Sequence, residues 1–279
     1  MTADSFGEKV CIVTGGASGL GRELCRQLAA AGARVVLSDI DEAASNEIAA
    51  ELAAGGHPIR VRNADVANSD SVRDLVENTL AEYGRIDYMF NNAGVPVWGE
   101  VQDLTAGDWH RTLDVNLMGV IHGIRHVYPI MIKQGYGHIV NTASGFGIIP
   151  GPLCSPYVAS KFAVFGLSNA IRFEALALGI NVSVVCPGFI NTEMMTRKLK
   201  PVNSNPDSIQ AVIPVTLLDV RKAARLLLNG VARKKAIITF PSYVRVFAFT
   251  FQYLPRLYSW FSVWQVAKFR EIKKESKLS

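Results

Sequence analysis

Along the first 240 residues, seven short apolar, β-branched runs take turns with longer stretches of helical character. The runs are Lys9–Thr14, Arg34–Ser38, Ile59–Asn63, Ile86–Phe90, His138–Thr142, Asn181–Cys186 and Ala236–Phe240. They are continuously apolar rather than alternating, as parallel strands covered on both faces should be. Between them the sequence predicts helices over Leu20–Ala31, Asp41–Ala54, Ser69–Tyr83, Thr105–Gln134, Tyr157–Leu178 and Asp219–Ala232. Gly32, Gly55, Gly84, Gly135 and Gly179 stand where five helices should stop, and Thr105 with Asp108 forms a candidate capping box. Connections this short force right-handed crossovers, and hence an α/β fold: a doubly wound parallel sheet of seven strands with helices on both faces. Residues 1–240 read as one domain, followed by an aromatic and basic extension over 241–279. The long connection Phe189–Pro214 follows a strand's carboxyl end, where such folds carry substrate lids.

Several function classes are excluded. No stretch reaches the roughly 18 uncharged apolar residues of a spanning helix, and Met1–Gly7 carries Asp4 and no apolar run, so no signal peptide is expected. Cys11, Cys25, Cys154 and Cys186 are scattered, which reads as reduced thiols in a cytoplasmic protein. The net charge of +5 resides entirely in residues 241–279, where seven Lys or Arg face Glu271 and Glu275. A nucleic-acid binder would carry its basic face on the folded body, so no nucleic-acid partner is expected. His122 and His126 share a helix face but lack a third ligand, so no metal is expected either.

The first strand runs into Thr14-Gly15-Gly16-Ala17-Ser18-Gly19-Leu20-Gly21, and a helix follows. Such a turn lets backbone approach a pyrophosphate at a helix N-terminus. Asp39 closes the second strand, where a carboxylate accepts hydrogen bonds from adenosine ribose hydroxyls. Against a 2′-phosphate it would be repelled by about 4 kcal/mol per charge pair, and Ser38-Asp39-Ile40-Asp41 holds no compensating cation. The expected cofactor is NAD.

Tyr157 and Lys161 lie one helical turn apart. Lowering a tyrosine by about three pKa units from its usual value near 10 takes about 4 kcal/mol. One cation at roughly 4–5 Å supplies about 3–4 kcal/mol, and an oxidised nicotinamide adds a second positive charge. The pair is adequate as a general acid/base.

With the glycine turn at Thr14–Gly21, Asn91-Asn92-Ala93-Gly94, Asn116, Ser144, Tyr157, Lys161 and Pro187-Gly188 with Thr192 all in order, the chain resembles the short-chain dehydrogenase/reductase family over about residues 8–240. The resemblance implies a Rossmann-type domain with Asn116, Ser144, Tyr157 and Lys161 as its catalytic set. Tyr157 would exchange the proton and Ser144 would bind the substrate oxygen. Lys161 would lower the tyrosine pKa and hold the nicotinamide ribose, while Asn116 would anchor a water linking Lys161 to solvent. It places Gly15, Ser18, Gly19, Leu20, Gly21, Asp39 and Ile40 along the cofactor. Asp65 and Val66 would border the adenine, Asn92, Ala93 and Gly94 the ribose, and Pro187, Gly188, Ile190 and Thr192 the carboxamide. Homodimers or homotetramers are implied as well.

Val95, Val97, Trp98, Phe146, Ile148, Ile149, Leu153 and Phe189 are apolar at the positions that line the family's substrate cleft. Ser144, Phe146, Leu153, Tyr157 and Phe189 are the expected substrate contacts. The expected activity is NAD-dependent interconversion of a hydrophobic secondary alcohol and its ketone. An oxoacyl-thioester or carbonyl reductase and a non-catalytic dinucleotide-binding scaffold are the alternatives. Residues 240–269 hold eleven of the chain's 25 aromatics, with basic residues at the end. An interfacial helix giving peripheral membrane contact is one reading of this tail; it could equally cover the active-site mouth or pack on a neighbouring subunit.

Overall fold

Every residue of strand β1 (Val10–Thr14) is buried, because both faces of the sheet meet a helical layer. Alternation along it sorts the core. Cys11 and Val13 enter one layer with Leu24 and Leu28 of α1 (Gly19–Ala30). Ile12 enters the other with Val72 and Leu75 of α3 (Ser69–Tyr83). The computed structural model describes residues 5–195 and 215–275, so most of the lid expected over residues 189–214 lies outside the described residues.

The other strands are β2 (Arg34–Ser38), β3 (Arg60–Val61), β4 (Tyr88–Asn91), β5 (Gly137–Thr142), β6 (Ile180–Pro187) and β7 (Ile237–Phe240). They form one sheet in the order β3-β2-β1-β4-β5-β6-β7, with every pair parallel. The first layer also contains α2 (Glu42–Ala54) and α7 (Val220–Ala232). The second contains α5 (Gly119–Gln134) and α6 (Ser155–Leu176). From β1 the chain winds outward to β3, then returns to place β4 on β1's other side. That reversal opens a crevice at the carboxyl ends of β1 and β4, where ligands of such sheets sit.

Four departures from the sequence reading have local causes. The single helix expected over Thr105–Gln134 is divided into α4 (Ala106–Leu113), a π-helical turn at Asp114–Met118, and α5. The Thr105–Asp108 capping box that starts it is present. Strand β3 shrinks to two residues at the sheet edge, where Arg60 and Arg62 turn outward to Glu82. Helix α6 starts at Ser155 rather than Tyr157, since Pro156 fits a first turn that needs no N–H. Of the five stop glycines, Gly55 keeps an ordinary φ of −80°, and its neighbour Gly56 takes the positive φ instead. After β7 the extension forms two helices, α8 (Tyr243–Tyr253) and α9 (Pro255–Glu275), parted at Pro255.

Candidate active site

β1 ends in Thr14, whose hydroxyl donates to the Phe90 carbonyl (3.3 Å) and accepts from the Asn92 and Ala93 amides (3.0 and 3.1 Å). This locks the glycine turn to the end of β4. A Cβ at Gly15 would meet the Ala93 Cα at 2.8 Å, and one at Gly21 would lie 1.9 Å from the Gly15 carbonyl oxygen. These two glycines are demanded by the turn's own packing. Gly19, at φ +52°, is different: a Cβ there would meet only Thr192, at 3.4 Å, across the open crevice. Ser18 makes no side-chain cap to α1, so the first-turn N–H groups stay available to a guest, as a pyrophosphate requires.

Asp39 accepts from the Ala17 N–H at 3.0 Å and from the Asp41 N–H at 3.1 Å. Asp41 supplies the cap of α2, accepting from Ala44 at 3.0 Å. The Asp39 carboxylate is thereby fixed on the crevice rim beside Ile40, which is 68% exposed. Asp65 accepts from the Ala67 N–H at 2.9 Å, while Asn68 caps α3. His122 donates to the Val66 carbonyl at 2.9 Å, and His126 bonds Ser69 at 3.0 Å, so each histidine of the pair has its own partner.

At the sheet's centre, Tyr157 and Lys161 come from the first turns of α6, and Ser144 from the turn after β5. Ser144 lies beside Tyr157, near enough to draw the phenol's pKa down, and the Ser144 Oγ accepts from the Phe146 N–H at 3.1 Å. Lys161 Nζ lies 5.6 Å from the Tyr157 ring centroid and donates to the Thr142 carbonyl at 2.9 Å. Asn116, fully buried in the π-helical turn, grips Val95 twice: Oδ1 accepts from its N–H at 2.7 Å and Nδ2 donates to its carbonyl at 3.0 Å. It also donates to Ser160 at 3.3 Å. Asn116 therefore sits behind the crevice wall.

Burial moves both members of the pair away from their ordinary values. It pushes Tyr157 up to about 12, with the neighbouring Ser144 pulling the other way. Burial also pushes Lys161 down to about 8. A low-dielectric pocket penalises phenolate and ammonium alike, and in the protein alone burial is the dominant influence on both.

The crevice continues into a cleft lined by Trp98, Phe146, Leu153 and Phe189, and the two together enclose about 450 Å³. Its far wall comes from the C-terminal helices through Tyr243, Phe247, Tyr258 and Phe261. Tyr243 accepts from the Phe189 N–H at 2.7 Å, and Tyr258 donates to the Pro150 carbonyl at 2.6 Å. Phe269 is fully buried against Trp98, Leu153 and Cys154. Arg270 pairs with Glu100 at 2.6 Å, and Lys273 reaches both Glu100 and Asp103.

A sequence profile of the short chain dehydrogenase family matches residues 9–203. The chain belongs to the short-chain dehydrogenase family. A probable oxidoreductase EphD of Mycobacterium tuberculosis is 38% identical over 191 residues, or 68% of this chain and 32% of that protein. The chain thus spans about a third of that relative's length. Cyclohexanol dehydrogenase of Acinetobacter sp. is 33% identical over 231 residues, covering 78% of this chain and 91% of the relative. Among solved structures, a short chain dehydrogenase/reductase from Burkholderia phymatum in complex with NAD superposes with a TM-score of 0.82 at 30% identity, over 91% of this chain and 96% of that one.

Every cofactor position and substrate contact expected in this dehydrogenase lines the one crevice, from Gly15 through Asp39, Asp65, Val66, Asn92 and Ser144 to Ile190 and Thr192. Two expected residues do not line it: Asn116, and Ile148, which packs instead against the core around Val120 and Ala143. Sequence reasoning missed Arg111, Met194, Met195, Tyr243, Val244, Phe247, Tyr258, Phe261 and Gln265, which also line it. The concentration of aromatics in the tail was the available signal for the C-terminal members. Nothing in their spacing said which face would turn inward.

Proposed function

We propose that this dehydrogenase uses NAD to interconvert an apolar secondary alcohol and its ketone. The observation that carries the reading is Tyr157 with Ser144 beside it and Lys161 Nζ 5.6 Å from its ring, all lining a mainly apolar cleft that opens onto the glycine turn. The uncapped start of α1 and the fixed Asp39 carboxylate fit an NAD pyrophosphate and adenosine ribose. When bound, NAD supplies the hydride acceptor or donor. Ser144 donates a hydrogen bond to the substrate oxygen and holds it against Tyr157, which takes the hydroxyl proton in oxidation and returns it in reduction. Lys161, neutral above about pH 8 in the protein alone, keeps its ammonium when negative charge develops on the phenol, and the two ionise as a pair. Asn116 positions the loop at Val95 and the π-helical turn behind Lys161.

Two relatives by name oxidise a cyclic alcohol and a hydroxy acid, cyclohexanol and D-beta-hydroxybutyrate. The aromatic lining here favours the first class. The test is NADH absorbance over a panel of cyclohexanol, longer secondary alcohols, 3-hydroxybutyrate and sorbitol. Apolar alcohols should turn over fastest, and Tyr157→Phe should lose about 10²–10⁴-fold in kcat while NADH fluorescence still reports binding. Faster turnover of sorbitol, or an active Tyr157→Phe enzyme, overturns the reading.

A further inference from the structure

The C-terminal helices are apolar on two faces. Tyr243, Phe247, Tyr258 and Phe261 turn into the cleft. Val246, Phe249, Tyr253, Leu257, Trp260 and Val263 turn outward, with Trp260 and Val263 each 68% exposed. The outward residues of α9 recur at helical spacing, Leu257, Trp260 and Trp264, and Leu254 at the bend between the helices is exposed as well. Scattered exposed apolar residues need no explanation, whereas a continuous stripe on two adjoining helices does.

The charges bordering this stripe identify its occupant. Residues 241–270 contain Arg245, Arg256, Lys268 and Arg270 and no Asp or Glu. Arg270 is engaged by Glu100. Arg245, Arg256 and Lys268 form no ion pair among the described residues, and Lys268 stacks on Trp264 at 5.2 Å. Two copies meeting through this face would bring like charges together. An anionic lipid surface meets both halves of the pattern: aromatic side chains enter the headgroup boundary, and the cations stay at phosphate level on their apolar stems. No helix among the described residues is long and apolar enough to cross a membrane.

We propose that the α8–α9 hairpin docks this protein on an anionic membrane through Val246, Phe249, Leu257, Trp260 and Val263, flanked by Arg245, Arg256 and Lys268. The docked face and the cleft share the same two helices, so docking holds the cleft beside the bilayer in which an apolar substrate would dissolve. That consequence rests on the apolar-alcohol reading; the docking itself does not.

The test is co-sedimentation of the full chain with vesicles of phosphatidylcholine alone or mixed with phosphatidylglycerol. Binding to the mixed vesicles is expected, with a blue shift of tryptophan emission and loss of binding as salt rises from about 0.1 to about 0.5 M. The triple variant Phe249→Ser, Trp260→Ser, Val263→Ser should bind at least about tenfold more weakly, with unchanged circular dichroism and unchanged turnover of a water-soluble alcohol. Arg256→Glu with Lys268→Glu should weaken only the phosphatidylglycerol-dependent part. No sedimentation with mixed vesicles, equal binding by the triple variant, or concentration-dependent self-association that the triple variant abolishes while vesicles remain unbound would each overturn the proposal. Vesicle binding without NAD-linked turnover would leave the docking standing and remove the proposed function alone.

Discussion

The cofactor end and the substrate end of the crevice are built from different materials. At the cofactor end the walls are main chain: Gly15 and Gly21 allow backbone to pack on backbone, and Asp39 is held by two N–H groups. At the substrate end they are side chains from a segment more than two hundred residues further along, held by two phenols, a buried phenylalanine and an ionic cluster at Glu100. The first kind of wall tolerates almost no substitution; the second can be altered one contact at a time. One half is therefore suited to a constant partner and the other to a variable one.

Three substitutions test this division, in descending order of effect. Lys161 lies where the halves meet, and burial depresses it from 10.5 to about 8. Across that interval the unfolded chain holds a proton that the folded one has released, so stability rises with pH between about 8 and 10.5, by up to about 3 kcal/mol. Lys161→Met should lose this rise, so the wild-type-minus-variant difference from urea unfolding at stepped pH should climb across the interval. A flat difference would mean the ammonium is not desolvated.

Next comes the cofactor end. Asp39→Asn keeps an acceptor for Ala17 but loses the charge, and should weaken NAD binding by about 1–2 kcal/mol, roughly tenfold in Kd. NADP binding should improve relative to NAD, because the repulsion of a phosphate is gone. KM for the alcohol should hold in titrations at saturating cofactor.

The smallest effect belongs to the roof. Tyr258→Phe deletes the 2.6 Å hydrogen bond to Pro150, and should cost about 1 kcal/mol of stability. It should raise KM for an apolar alcohol a few-fold while leaving the Kd for NAD unchanged. A matching shift in both constants would show that the two ends are not independent.

The sheet was legible because its signals are local and repeated. Continuous apolar runs, glycine stops and the Thr105–Asp108 cap each act within a few residues, and they specify element type without knowledge of neighbours. The two-helix end of the chain gave no such guidance: it is apolar on both faces, so no single stripe marks an inside. The π-helical turn at Asp114–Met118 was equally hidden, since its cause is the grip of Asn116 on Val95, 21 residues away in sequence.

Residue order alone determined the fold class and the strand boundaries to within a few residues, because periodicity and glycine geometry are properties of short segments; which residues would gather at one crevice was implied by the family resemblance. Tertiary structure decided what those residues are worth chemically. Tyr157 stands high and Lys161 low because of burial, and burial is the sum of everything packed around a group, most of it remote in the chain. It likewise decided that the last helices roof the cleft, since only the finished sheet offers Phe269 a place between Trp98 and Leu153.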